Sequence, residues 1–127
     1  SKSANSEIEE DNIESIPANQ ILKKGLAALN KGEYKQSLSH LNTLLNLNKE
    51  DVNALFYTGL SYYNSNEYLK AINYFNKTII NTNNAFYQEG QWYLAQSYNK
   101  NGDKEKATEL YMQISKENGF SVSLFRT

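Results

Sequence analysis

The sequence predicts an all-α fold: a right-handed solenoid of three antiparallel helix hairpins. Three observations carry that expectation. Residues 52–85 resemble the stretches on either side of them at a near-constant offset. Sliding back 34 residues puts Gly59 on Gly25, Tyr68 on Tyr34, Ala71 on Ser37 and Phe75 on Leu41. Sliding forward 36 puts Gly59 on Ala95, Asn66 on Gly102, Ala71 on Ala107 and Phe75 on Tyr111. A helix pair recurring at such a period is the signature of a stacked helical array. Second, Gly32, Asn66 and Gly102 punctuate the three units at one position, and these residue types accept the left-handed backbone that ends a helix tightly. Third, apolar residues recur at helical spacing throughout, and no stretch alternates like a strand.

Taken in order, residues 1–16 (SKSANSEIEEDNIESI) lack an apolar period and are acidic, so they read as a disordered leader or linker. Pro17 suits the first turn of a helix, where a missing N–H costs nothing. The domain then runs over 17–127, in repeats of about 18–51, 52–85 and 88–121. Helices are expected over about 17–30, 33–47, 52–64, 67–81, 86–100 and 103–116. The second of them shows the pattern most plainly, with Tyr34, Leu38, Leu41, Leu44 and Leu45 on one stripe. The turn at 81–84 is two residues longer than the period requires. Gly25, Gly59 and Ala95 form one small-residue column, and Ser37, Ala71 and Ala107 another on the opposite helix of each hairpin. Small side chains there let the backbones cross closely. After Asn118-Gly119 the apolar tail, with Phe120, Val122, Leu124 and Phe125, is expected to fold back on the last helix or to meet a second copy.

Composition narrows the function classes. Residues 1–17 carry a net charge of −4, from five acids against Lys2, and the remainder +3, from 12 Lys+Arg against 9 Asp+Glu. Neither balance demands nucleic acid or an acidic lipid surface. The absence of cysteine removes disulfides and thiolate metal sites. No apolar run approaches the ~20 residues a membrane-crossing helix needs, so this stretch is not expected to insert in a membrane. The expected setting is a soluble domain, cytoplasmic or attached to a membrane through a segment upstream of Ser1.

Catalytic and metal chemistry find little footing. His40 is the one histidine and has no Cys or His companion in sequence. Glu105 and Glu109 share a helix face, but Lys104 and Lys106 flank the first of them, as on an ordinary solvated surface. Lys23, Lys24, Lys31 and Lys35 form only a loose basic patch, without the dense stripe and exposed aromatics of a nucleic-acid binder. No catalysis, cofactor, metal or nucleic acid is expected.

Gly59-x-x-Tyr62 with Ala71-x-x-x-Phe75, and Ala95-x-x-Tyr98 with Gly102-Asp103 and Ala107-x-x-x-Tyr111, resemble the tetratricopeptide (TPR) repeat. Gly25-x-x-Ala28 with Ser37-x-x-x-Leu41 is a looser version, and Lys49 and Asn83 stand where the family often has proline. The resemblance implies a TPR-like superhelix whose first helices line a concave groove for a protein or peptide. On this sequence it implies groove residues Leu22, Leu26 and Leu29; Phe56, Tyr57, Leu60, Tyr63 and Asn64; and Trp92, Tyr93, Gln96 and Asn99. It also implies a non-catalytic interaction scaffold. The rival reading is structural self-assembly, in which exposed end surfaces stack on a second copy to give a homodimer or other homo-oligomer within a larger protein, membrane-anchored or not. The family's carboxylate clamp of cationic side chains has no counterpart here, because Leu22, Leu26, Tyr57, Glu89 and Tyr93 occupy those places.

Overall fold

Among the described residues six helices form and no strand does. The computed structural model describes residues 17–119; the expectations for the leader 1–16 and for the apolar tail lie outside them. The helices are α1 (Ala18–Asn30), α2 (Tyr34–Leu47), α3 (Val52–Asn64), α4 (Tyr68–Thr78), α5 (Tyr87–Lys100) and α6 (Lys104–Asn118).

Local chemistry explains most of the boundaries. Asp51 and Asp103 cap α3 and α6 by accepting from the backbone N–H of Ala54 (3.2 Å) and Lys106 (3.1 Å). Within each hairpin the same tight turn recurs. Gly32, Asn66 and Gly102 take positive φ of 76°, 65° and 92°. The next N–H, from Glu33, Glu67 and Asp103, then donates back to the carbonyl of Ala28, Tyr62 and Tyr98, each at 2.9 Å. These are Schellman closures, and they satisfy carbonyls a helix end would leave open.

The fourth helix departs from expectation: it ends at Thr78 rather than Asn81. The cause is Asn84. Its carboxamide donates to the carbonyl of Thr78 (2.9 Å) and to that of Asn81, while its own oxygen accepts from the N–H of Phe86 (2.7 Å). A side chain thus takes an acceptor that another helical turn would have used. The last helix runs the other way, two residues beyond expectation, and stops where Gly119 enters the left-handed region at φ 71°.

Packing between helices follows the small columns. A Cβ added to Gly59 would come within 2.7 Å of the Phe75 ring, and one on Gly25 within 3.3 Å of Leu41. Ala71, Ala95 and Ala107 are fully or almost fully buried, and Ser37 is buried with its hydroxyl 3.1 Å from that of Ser61 on the next hairpin. A further small position lies between hairpins: a Cβ on Gly90 would meet Ile79 at 2.9 Å and Thr78 at 3.1 Å. Ala54, its counterpart one repeat earlier, is also fully buried.

Each helix touches its chain neighbours, and beyond these only α1 meets α3 and α3 meets α5. The backbones of α2 and α4, and those of α4 and α6, make no such close approach. The first helices of the hairpins are therefore drawn together and the second helices splayed apart, which curves the array with α1, α3 and α5 inside. On the outside the splay leaves two furrows of about 270 and 250 Å³, floored by Thr58 and Tyr62 of α3 and by Leu94 and Tyr98 of α5.

Candidate concave interaction face

Helical periodicity on α3 and α5 brings an aromatic group to the inner side. Tyr63 meets Tyr93 edge-on at 5.4 Å and Tyr68 edge-on at 5.7 Å. Trp92 meets Tyr93 edge-on at 5.0 Å and is the one tryptophan of the chain, 36% exposed. Tyr93 is also stacked on the buried Phe75 at 5.6 Å, so one of its faces is covered, and the edge-to-face contacts fix the ring positions. Burial pushes the Tyr57 phenol above its ordinary pKa, and the nearby Glu89 carboxylate pushes it further the same way. Tyr63 is raised too, by burial first and then by the phenols of Tyr68 and Tyr93. Both stay neutral hydrogen-bonding groups at physiological pH.

The groove residues expected from sequence divide into two sets. Leu22, Leu26, Tyr57, Leu60, Tyr63, Tyr93, Gln96 and Asn99 are half-buried, and Asn64 and Trp92 are exposed. Two are corrected. Phe56 is only 2% exposed, enclosed by Phe86 stacked at 4.5 Å, Tyr57 at 5.2 Å, Phe75 at 5.8 Å and Tyr93 at 5.9 Å. Leu29 is buried with Ala28 at the close of α1. Both serve the interior, and neither offers a surface to a partner. Asn99 is engaged within the chain, accepting from Lys104 Nζ at 2.8 Å.

Three contributors were not singled out from sequence. Phe86 covers Phe56 from the irregular segment that Asn84 shapes, and no repeat column announces it. Gly90 could have been found from its pairing with Ala54 at the repeat offset. Gln91 is almost fully buried and donates to Glu117 Oε2 (2.6 Å) and to the Tyr87 hydroxyl (3.2 Å). Tyr87 in turn donates to Glu117 Oε1 (3.1 Å). The donation from Gln91 leads the effects that hold the Glu117 carboxyl below its ordinary pKa. Gln91 stands where Ile21 and Leu55 stand in the other repeats, so a polar residue in an apolar column was its signal.

A separate cleft among the described residues lies away from this face. It measures about 650 Å³ and opens between the α2–α3 turn and the end of α4, over Val52, Leu55 and Thr78. The early end of α4 makes it. Among the described residues no group of three His, Cys, Asp or Glu side chains is placed to hold a metal ion, and no helix is long and apolar enough to cross a membrane. His40 is half-buried beside Gly25, and Lys23, Lys24, Lys31 and Lys35 are all exposed.

Comparison with known proteins gives two family matches. A model described as tetratricopeptide repeat matches residues 22–86, and a second of the same description matches 89–121. Among solved structures, the crystal structure of MamA is similar, with a TM-score of 0.73 at 19% identity, covering 87% of this chain and 64% of that one. The chain thus spans less than two thirds of that structure's length, and the likeness is one of fold. No curated protein sequence matches.

Proposed function

The chain belongs to the tetratricopeptide repeat family, whose repeats generally act as protein-interaction modules, and from that premise we propose that it binds a peptide or partner helix along its concave face and performs no chemistry of its own. The observation that carries this reading is the inner aromatic group of Tyr57, Tyr63, Trp92 and Tyr93. Half-buried tyrosines around an exposed tryptophan, on a curved and partly apolar surface, fit an extended or helical peptide, and aromatic residues concentrate binding energy at such sites. The half-buried Leu22, Leu26 and Leu60 extend the same face toward α1.

The peptide is not one that ends in clustered carboxylates. Glu89 stands on the face and repels them, and the expected clamp positions hold Leu22, Leu26, Tyr57, Glu89 and Tyr93. Titration with a peptide ending in Glu-Glu-Val-Asp should give no heat; micromolar binding overturns this part of the reading. Self-assembly through the hairpin ends has weaker support, because exposed Lys24 and Thr108 stand where inner repeats carry buried residues. Light scattering tests it: a monomer is expected.

The groove itself is tested by Trp92→Ser with Tyr93→Ser. This pair should abolish capture of a specific partner from a lysate while circular dichroism shows helix content retained. Undiminished capture by a folded double variant would move the interaction to another surface.

A further inference from the structure

The aromatic rings of this array fall into two groups that differ in what covers them. On the outer side each of three tyrosines carries a lysine of the chain itself. Lys70 lies 5.4 Å from the Tyr62 ring, Lys77 5.0 Å from Tyr74, and Lys106 5.2 Å from Tyr98. Two of these pairs, Lys70 with Tyr62 and Lys106 with Tyr98, occupy equivalent positions in successive repeats. The arrangement is a repeated device that places a cation over a ring face.

On the inner side the device is half built. Among the described residues no lysine or arginine lies over Tyr57, Tyr63, Trp92 or Tyr93. The one acid on that side of hairpin three, Glu89, is exposed and makes no ion pair among them. Glu89, Trp92 and Tyr93 follow one another at i, i+3 and i+4 on α5, so they share a face. Tyr57 reaches that group from α3, close enough for its phenol to feel the Glu89 charge. The acid belongs to this repeat alone, since Asn19 and Asn53 hold its place in the other two.

We infer that the hairpin-three end of the groove seats one arginine or lysine side chain of the bound peptide, its charge over the exposed Trp92 ring and its N–H groups on Glu89. The inference rests on the groove reading and adds the partner's chemistry to it. A cation gains from both elements of the site, since a ring face and a carboxylate attract it. A neutral side chain of the same shape gains from neither. An acidic one is repelled.

Trp92 reports on this site directly, being the sole tryptophan. Its fluorescence should be titrated with three acetylated, amidated pentapeptides of the form Ala-Leu-X-Leu-Ala, where X is arginine, neutral citrulline or glutamate. The arginine peptide should bind about tenfold tighter than the citrulline one, and the glutamate peptide weakest. Glu89→Gln should bring arginine and citrulline within about twofold of each other, whereas Glu105→Gln, on the exposed start of α6, should leave the tenfold preference in place. Equal binding of arginine and citrulline peptides to the wild-type domain, or tighter binding of glutamate, overturns the inference and leaves the groove reading standing. If none of the three perturbs Trp92 at millimolar concentration, the inference and the groove reading fall together.

Discussion

The middle hairpin and its two neighbours are built on one pattern, yet among the described residues only the middle one meets a hairpin on both sides, and the sequence columns register the difference. At one position of the first helix, Thr58 and Leu94 are buried against the preceding hairpin, while Lys24, which has no hairpin before it among the described residues, is exposed. At one position of the second helix, Leu38 is half-buried and Ile72 buried against the following hairpin, while Thr108 is exposed. The pattern within a hairpin survives in all three units; the pattern between hairpins holds only where there is something to pack against. Conformity to a repeat is therefore a measure of burial, position by position.

The strongest way to break the comparison is to empty the middle. Phe75 is fully buried and lies on Gly59, so Phe75→Ala should cost about 3–5 kcal/mol in urea unfolding. Thr108→Ala, on the exposed side of hairpin three, should stay within about 0.5 kcal/mol. Equal losses would mean the end hairpin is packed as the centre is.

A finer contrast sets the two crossing glycines against each other. Gly59→Ala drives a methyl to 2.7 Å from a buried ring and should cost about 1–3 kcal/mol. At Gly25 the equivalent approach is 3.3 Å, to the movable end of Leu41. Gly25→Ala should cost clearly less, and thermal melts that rank the two the other way would contradict the packing described.

The smallest effect concerns hairpin three, where hydrogen bonds from Gln91, Tyr87 and Gln113 converge on Glu117. Because the folded carboxyl titrates below its ordinary value of 4.5, its contribution is fully present above that pH and is lost as pH falls through the lowered folded value. The group is exposed, so the loss is a small one. Glu117→Gln should flatten the dependence of melting temperature on pH between about 5 and 2; an unchanged slope would remove Glu117 from the interaction.

Much of the architecture was legible because its causes are local. Asp51 and Asp103 cap where they stand, and Gly32, Asn66 and Gly102 turn the chain at their own residues, so five of the six helices lie within two residues of expectation at each end. The early end of α4 was not legible, since an amide six residues downstream decides it. Phe56 shows the same limit within the groove. Its column marks it as surface, and only a ring from the next loop, Phe86, makes it interior. Trp92 occupies the equivalent place one repeat later, has no such cover among the described residues, and is exposed.

That no described helix reaches beyond the adjacent hairpin has a mechanical consequence. Almost every stabilising contact joins residues no more than about one repeat apart, so little loop entropy stands between the unfolded chain and its first packed hairpin, and folding should be fast. Under tension applied at the two ends the same locality works in reverse. Among the described residues no contact joins hairpin one to hairpin three, so the array should unzip hairpin by hairpin, the outer ones first, with hairpin two yielding last because it is clasped on both faces.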